Sequence, residues 1–485
     1  MGIAAEAGRS LLEKRGLRLT LLAALVVAVA LPLALLPLAY AAALLGGVGV
    51  VLLVLVRPEA GLYLLAFSVP YESLRELSLG GLTIGSTQVL VALTAVAWAL
   101  RLAVTRERPP VPLGLGGPLL LVLGAVALST LRAVEVGPAI KEGLRWLELL
   151  LVYLAAADLL RSPGQRATLM ALLLVAGLSE AAIGYVQFIT RWGPESFRTG
   201  GFLRAYGTFG QPNPYAGYLG TLLPLVLALA IAGVRDRSAR RGIWCYLSVG
   251  TLIILGGALA ASQSRGGMLG FALALAVVAA LSSRRALLAL LGLALASIFV
   301  VLLGSFDLLP AMVSERLRQI TSYFGVFDVR TVVLTPENWA VVERMAVWQA
   351  AWGMFEAYPF LGVGPGNYVA AYPDFAMPGW KDAMGHAHNL YLTILAETGA
   401  VGLSAFLVFW LSAFVAVWRS WRASLASGGW WQRAIPLGVL AVLAQVSLHN
   451  VFDNLMVHGL NVQLALLLAL ATGPGSGEGK VGTNC

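Results

Sequence analysis

The chain alternates long apolar runs with short polar segments, and one polar segment, residues 305–388, is much longer than the rest. Most of the apolar runs have about the length that an α-helix needs to cross a bilayer. We place them near residues 18–37, 38–56, 60–72, 84–101, 115–131, 143–160, 167–190, 213–233, 243–262, 267–282, 286–304, 389–417, 434–451 and 455–472. Merging short or proline-broken runs near the N-terminus would reduce the number to twelve. The pattern predicts an all-α polytopic integral membrane protein with about 12–14 transmembrane helices.

This pattern divides the chain into four parts. Residues 1–304 form an N-terminal bundle of about 11 spans, 305–388 a long extracytoplasmic loop, 389–472 three C-terminal spans, and 473–485 a flexible cytoplasmic tail. The loop contains a predicted amphipathic helix near 337–356, with Thr335 as its N-cap. Two positions remain open for this helix, on the outer leaflet or packed against the bundle. Its apolar stripe is Val341, Met345, Trp348, Trp352 and Phe355.

Composition supports the membrane class, and the placement of charge gives the orientation. The chain is 59% hydrophobic and only 12% charged, too apolar to cover the surface of a soluble fold. Arginine and lysine collect in loops that share one side if both termini are cytoplasmic, most densely in RDRSARR at 235–241. The long loop is then extracytoplasmic. The net charge of +9 therefore gives no reason to expect a nucleic-acid partner.

Several basic residues lie on the outer side, where topology disfavours them, and this suggests an anionic ligand. Ion pairs with nearby carboxylates or contacts with lipid head groups are the alternative. The residues are Arg191, Arg198, Arg204, Arg265, Arg316, Arg318, Arg330, Arg344 and Lys381.

The stretch GHAHNLYLTILAETGAVGL, residues 385–403, carries the most chemistry. His386 and His388 precede an apolar helix, and a histidine at a membrane surface can exchange a proton near pH 7. Glu397 lies nine residues after His388, so one continuous helix would place them on opposite faces. We therefore expect Glu397 to make a buried structural hydrogen bond or ion pair to another helix. His449 and its polar neighbours Asn450, Asp453 and Asn454 either line an acceptor cavity or cap a short turn.

Four motifs in this order resemble the O-antigen ligase and polymerase family. They are GTFGQPNPYAGYL at 207–219, SQSRGG at 262–267, PFLGVGPGNY at 359–368 after an arginine- and tryptophan-containing helix, and HAHNLYLTILAETGAVGL at 386–403. The spaced glycines of LGVGPGNY have neither the strand context nor the lysine of a nucleotide loop, so we expect a tight turn there.

The resemblance implies a glycosyltransferase of the bacterial inner membrane with an extracytoplasmic active site. Its donor would be a glycan on undecaprenyl diphosphate, and its acceptor a glycan or a lipid-anchored sugar. By motif, His388 would prepare the acceptor, and Arg265, Arg204 and Arg344 would hold the diphosphate. Asn389, Gln211 and Asn213 are further candidates for substrate binding, and His386, His449 and Glu397 are weaker ones.

No cofactor and no metal are expected, because the sequence shows no paired carboxylates and no histidine–aspartate cluster on the outer side. Ligase and polymerase activity stay equally open, and inversion at the anomeric carbon is expected. The alternative of another class is a transporter of a small anion or solute. A transporter would be expected to have inverted repeats and interrupted helices at the bilayer midplane, and the sequence shows no repeat.

Overall fold

A computed structural model describes residues 37–72, 76–79, 82–106, 114–199, 201–236, 242–305, 327–335, 338–427 and 429–473. These residues form fifteen α-helices. In chain order they are α1 Leu38–Val56, α2 Pro58–Tyr71, α3 Ser86–Thr105, α4 Gly116–Thr130, α5 Val136–Leu159, α6 Pro163–Thr190, α7 Pro212–Arg235, α8 Ile243–Ser262, α9 Arg265–Ser282, α10 Arg284–Ser305, α11 Trp339–Ala357, α12 Tyr368–Phe375, α13 Leu390–Ser427, α14 Trp430–His449 and α15 Leu460–Thr472.

Two short antiparallel hairpins accompany the helices. Strand β1 (Glu76–Leu79) pairs with β2 (Leu82–Gly85), and β3 (Arg198–Thr199) pairs with β4 (Phe202–Leu203). The chain divides into two compact units, residues 1–58 and 59–485. Helix α1 is the described helix of the first unit, and the second unit contains the candidate site.

The predicted fold class, an all-α polytopic membrane protein, is confirmed. Among the described residues, eight helices are long and apolar enough to cross a membrane: α1, α3, α6, α7, α8, α9, α13 and α14. The other predicted spans correspond to α2, α4 and α15, which are shorter, to α5, which carries more charge, to α10, and to residues 18–37, which lie outside the described part up to residue 36. The predicted tail also lies outside it, apart from Gly473, and the proposed domain boundaries remain predictions.

Helix α7 is largely buried in the second unit, and it packs against α6, α8, α9 and α14. Its side chains Tyr215 and Tyr218 are fully buried. Close helix approach here depends on glycine, because a Cβ on Gly438 of α14 would lie 2.7 Å from the Cα of Leu225. Helices α7 and α14 therefore approach each other closely at this point.

The long loop contains the predicted helix, displaced by one to two residues as α11. Thr335 and Asn338 bond reciprocally before it, the Thr335 N–H donating to Asn338 Oδ1 at 2.8 Å and the Asn338 N–H to Thr335 Oγ1 at 3.3 Å. Its buried face contains Val342, Ala346, Ala350 and Met354, and it packs against α12 and α13.

The predicted apolar stripe of α11 is therefore wrong in part. Met345 is buried, but Trp352 is 49% exposed. The inward face includes the small residues Ala346 and Ala350, which allow close packing, and an apolar stripe placed from the largest side chains overlooks them. Packing against the bundle is confirmed for this helix.

The segment LGVGPGNY forms the expected turn. Gly362, Gly364 and Gly366 have φ values of 65°, 106° and 67°, which glycine adopts without steric cost. The turn docks on α13, where Gly399 (φ 63°, ψ −165°) breaks the helix into two segments. A Cβ at Gly399 would overlap the Phe360 carbonyl, so the kink and the turn require each other.

Candidate active site

Four segments meet at one end of the bundle, which we call the site face. The turn between α14 and α15 contacts the start of α13, where the Leu390 N–H donates to Asn450 O at 2.9 Å and to Asp453 O at 3.0 Å. The loop before α7 joins the end of α8, since the Ala205 N–H donates to Ala261 O at 2.9 Å. A Cβ on Gly266 at the start of α9 would lie 2.7 Å from Cδ2 of His449, so α9 also meets α14 here.

His388 and Asp453 form a hydrogen-bonded pair at the site face. His388 Nδ1 lies 3.2 Å from Asp453 Oδ1, and both side chains are largely buried. A carboxylate accepts hydrogen bonds, so neutral His388 carries its proton on Nδ1. His388 Nε2 then has a free lone pair, and it has no hydrogen-bond partner among the described residues. An imidazole held this way can accept a proton through Nε2.

Asp453 is ionised in this arrangement. Burial raises its pKa, but the hydrogen bond from His388, the neighbouring imidazoles of His388 and His386 and the Asn454 N–H outweigh burial and hold the pKa well below its usual range. The Asn454 N–H donates to Asp453 Oδ1 at 2.8 Å, and the Leu455 N–H donates to Asn450 Oδ1 at 2.9 Å. The turn thus fixes the carboxylate that orients His388.

His386 lies beside this pair. Its ring centroid is 4.4 Å from that of His388, and its Nε2 is 3.7 Å from Asp453 Oδ1. Burial, followed by the neighbouring His388, lowers the pKa of His386 to about 4, so it is neutral at pH 7.

His386, His388 and Asp453 could hold a metal ion, since one ligand atom from each lies within 4.8 Å of the others. The sequence argument that no histidine–aspartate cluster exists on this side is therefore wrong. Asp453 is 65 residues from His388, and only the packing of α13 against α14 brings it in. The lone pair of His386 Nδ1 already accepts the His388 N–H at 3.0 Å. Coordination through Nε2 would move the His386 proton to Nδ1 and break that bond.

Arg204 extends from the loop before α7. Its Nε donates to Ser262 O at 3.0 Å and its NH2 group to Asn213 Oδ1 at 3.2 Å. Burial lowers its pKa, as do the positive charges of Arg344 and Arg265, while Asp453 acts in the opposite direction. Positive charge from both of these arginines therefore acts on the Arg204 guanidinium.

Arg265 and Arg344 complete this arginine cluster. Arg265 is exposed at the first turn of α9, where Ser264 caps the helix by accepting the Gly267 N–H at 3.3 Å. Arg344 is half-buried on α11. Within the described part of the chain, neither side chain has a hydrogen-bond or ion-pair partner. A guanidinium cluster beside a helix N-terminus is a suitable environment for phosphate oxygens.

Two predicted substrate-binding residues instead support their neighbours. Asn389 is buried, and its Oδ1 accepts the Leu392 N–H at 3.1 Å, which caps α13. Asn213 Oδ1 is occupied by Arg204. Each therefore shapes the site through another group.

Two further predicted residues, Gln211 and His449, lie at helix ends. Helix α7 begins at Pro212, so Gln211 is its N-cap residue. The Gln211 side chain is exposed and makes no capping bond. His449 is buried beside Gly266, and its Nδ1 has no hydrogen-bond partner among the described residues.

Glu397 holds the glycine turn. Its Oε2 accepts the Gly366 N–H at 2.8 Å and its Oε1 the Tyr368 N–H at 3.2 Å. The expectation of a structural bond fits these contacts, since Gly366 lies in the turn and Tyr368 is the first residue of another helix, α12. The helical-wheel argument was wrong in its premise, because His388 (φ 49°) precedes α13 and is not part of it.

Three further polar side chains, none of them predicted from the sequence, hold the loops of the site. Asn367 bridges to the turn between α4 and α5, where its Oδ1 accepts the Glu135 N–H at 2.6 Å. Gln187 and Glu180 on α6 hold the loop that carries Arg204, accepting the N–H groups of Gly207 (2.8 Å) and Thr208 (3.0 Å). Polar residues inside apolar runs were the available signal, since such positions need partners.

Fold and site together define a multi-pass membrane protein with a histidine–carboxylate pair and an arginine cluster at one end of its helix bundle. The family model of O-antigen ligase matches residues 250–407, about a third of the chain, and identifies this segment as an O-antigen ligase domain. The match confirms the family resemblance and, together with the membrane helices, supports a family of membrane enzymes that handle glycans. It includes Arg265, Arg344 and His388, whereas Arg204 and Asp453 lie outside it. A comparison with curated proteins found no match.

Proposed function

We propose that the protein is a glycosyltransferase that moves a glycan from a lipid diphosphate to an acceptor hydroxyl. The observation that carries the proposal is the pairing of His388 Nδ1 with Asp453 at 3.2 Å, which leaves His388 Nε2 without a hydrogen-bond partner among the described residues. The charge of Asp453 also acts on Arg204, and so do the charges of Arg265 and Arg344. This reaction needs a general base and a binding site for the diphosphate anion, which we call the cradle and assign to the arginine cluster. The family match supports the glycan chemistry.

His388 prepares the acceptor. Its Nε2 removes the proton of the acceptor hydroxyl as that oxygen bonds to the anomeric carbon, and Asp453 stabilises the imidazolium that forms. General-base catalysis of this kind contributes about 10²–10⁴ in rate. Asp453 also keeps the reactive tautomer in place, as a buried carboxylate does for histidine in other enzymes.

The arginine cluster stabilises the leaving group. The bond between the anomeric carbon and the diphosphate oxygen breaks, and its electron pair remains on the diphosphate. Arg204, Arg265 and Arg344 meet this charge with groups that stay positive at every physiological pH. Attack opposite the leaving group inverts the anomeric configuration.

The donor we propose is an undecaprenyl-diphosphate-linked glycan in the bacterial inner membrane. The acceptor is a glycan or lipid-anchored sugar on the extracytoplasmic side, and both termini of the chain are cytoplasmic. The arginine-rich loop at 235–241 supports this orientation. The reaction proceeds without a metal, because the arginines supply the positive charge.

Alanine substitution of the arginines tests the cradle. Arg265→Ala and Arg344→Ala should lower transfer from a lipid-linked glycan strongly. Arg330→Ala is the matched control, because Arg330 already pairs with Asp328 at 2.7 Å and is exposed. Undiminished transfer by both cluster variants would refute the cradle, and purified protein that moved solute across vesicles without forming glycan product would favour a transporter.

Glycan analysis of a strain lacking the protein separates the two transferase types. Long chains that accumulate on the carrier lipid indicate a ligase, because their transfer is blocked. Loss of long lipid-linked chains indicates a polymerase, because their extension is blocked.

A further inference from the structure

The backbone of His388 adopts an unfavourable conformation. Its φ is 49°, in the left-handed region that residues with a Cβ seldom enter. Met384 (φ 53°) and Gly385 (φ 82°) precede it in the same region, and Ala387 between the histidines is fully buried. Such conformations persist only where the surroundings fix them, and they concentrate at functional sites.

His386 supplies the contact that fixes this backbone. Its Nδ1 accepts the His388 N–H at 3.0 Å, a side-chain to main-chain bond two residues along the chain. Asparagine and aspartate make the same bond in Asx-turns. Because Nδ1 faces a donor, it carries no proton.

The second ring nitrogen of His386, Nε2, lies close to the carboxylate of Asp453. Neutral His386 must carry its proton on Nε2, which is 3.7 Å from Asp453 Oδ1. The same oxygen receives the proton of His388 Nδ1 at 3.2 Å. His386 thus contacts both the backbone of His388 and the carboxylate that orients the His388 ring.

We propose that His386 is a positioning residue for the base. Its Nδ1 holds His388 in the left-handed conformation and its Nε2–H steadies Asp453, so that His388 Nε2 faces the acceptor hydroxyl. His386 itself does not touch the substrate. The inference rests on the proposed function, because it gives His386 a role through the catalysis by His388.

Two amide variants, each of which replaces one ring nitrogen, separate the two contacts of His386. In His386→Asn, Oδ1 takes the place of Nδ1 and can accept the His388 N–H, but nothing replaces the Nε2–H. In His386→Gln, the side-chain amide can approach Asp453, but no acceptor remains next to the His388 N–H. His386→Ala removes both contacts, and a thermal melting curve for each variant confirms that it is folded.

Kinetics of transfer from a lipid-linked glycan give the first test. We expect His386→Ala and His386→Gln to lower kcat by about 10²-fold, the effect of a reactive group misplaced by about 1 Å, with little change in KM. His386→Asn should recover most of that loss. Equal kcat in Asn and Ala variants, or losses that fall mainly on KM, would overturn the proposal.

Nitrogen NMR of the histidine-labelled protein gives a test that does not depend on transfer. The chain has four histidines, so single substitutions can assign the signals. We expect the proton of His386 on Nε2 and that of His388 on Nδ1, with the His388 tautomer retained in His386→Asn and mixed in His386→Gln. A His386 proton on Nδ1 would overturn the proposal. Expected tautomers together with normal transfer by His388→Ala would instead refute the proposed function.

Discussion

Replacing Asp453 by asparagine removes the charge of the histidine–carboxylate pair while keeping its shape. Asparagine Oδ1 can still accept from His388 Nδ1 and from the Asn454 N–H, so the turn should stay folded. What is lost is attraction to the imidazolium that forms when His388 takes the acceptor proton. At 3.2 Å and an effective dielectric constant of about 20, that attraction is about 5 kcal/mol.

This figure is an upper limit, because the nearby Arg204 already offsets part of the charge of Asp453. An attraction of about 5 kcal/mol corresponds to about 10⁴ in rate. A general base contributes about 10²–10⁴. We therefore expect Asp453→Asn to lower kcat by about 10²–10³, with KM for donor and acceptor nearly unchanged.

The assay is transfer from a labelled lipid-linked glycan by purified protein in vesicles, under single-turnover and steady-state conditions. Asp328→Asn is the control, since Asp328 lies in the long loop and its carboxylate pairs with Arg330 near the surface. Full kcat in Asp453→Asn would refute the role of the carboxylate. An equal loss in Asp328→Asn would show that the effect is not specific to the pair.

Three further predictions concern metal, stability and pH. Treatment with a chelator should leave transfer unchanged, and loss restored by a divalent ion would show that His386, His388 and Asp453 hold a catalytic metal. Gly399→Ala should destabilise the protein by about 2–4 kcal/mol, because the new Cβ would meet the Phe360 carbonyl, and the melting temperature should fall. Gly250→Ala is the control and should leave the melting temperature unchanged, because there is open space around its Cβ. The free energy of unfolding should fall by up to about 3 kcal/mol as pH drops from about 6.5 to about 4, because His386 binds a proton in the unfolded chain but stays neutral in the folded one. This part of the pH dependence of the melting temperature should disappear in His386→Asn. Its persistence there would contradict the lowered pKa of His386.

Local hydrophobic pattern was sufficient to predict the helices of the bundle. The runs at 38–56 and 243–262 coincide with α1 and α8, because a membrane span needs its apolar residues in one continuous segment. The motif containing Arg265 was also readable, since a guanidinium at a helix start is a local feature. Helix α11 shows where this reasoning fails, because its inward face depends on which neighbour it packs against.

The partners within the site could not be predicted in the same way. Asp453 and His388 are joined by tertiary packing across 65 residues, and periodicity carries no information about such pairs. The left-handed backbone conformation of His388 could not be predicted either, because the sequence around it is typical of the start of a helix. Glu397 was assigned a structural role, but its partners, the Gly366 and Tyr368 N–H groups, depend on the kink at Gly399.

The most direct test of the account is transfer by His388→Ala in a purified system. Protein in vesicles with a lipid-diphosphate-linked glycan and an acceptor glycan should form product in the wild type. The variant should form it about 10²–10⁴ times more slowly while binding the donor equally well. Transfer by His388→Ala at the wild-type rate, or no product from the folded wild type with any lipid-linked donor and acceptor, would contradict the account.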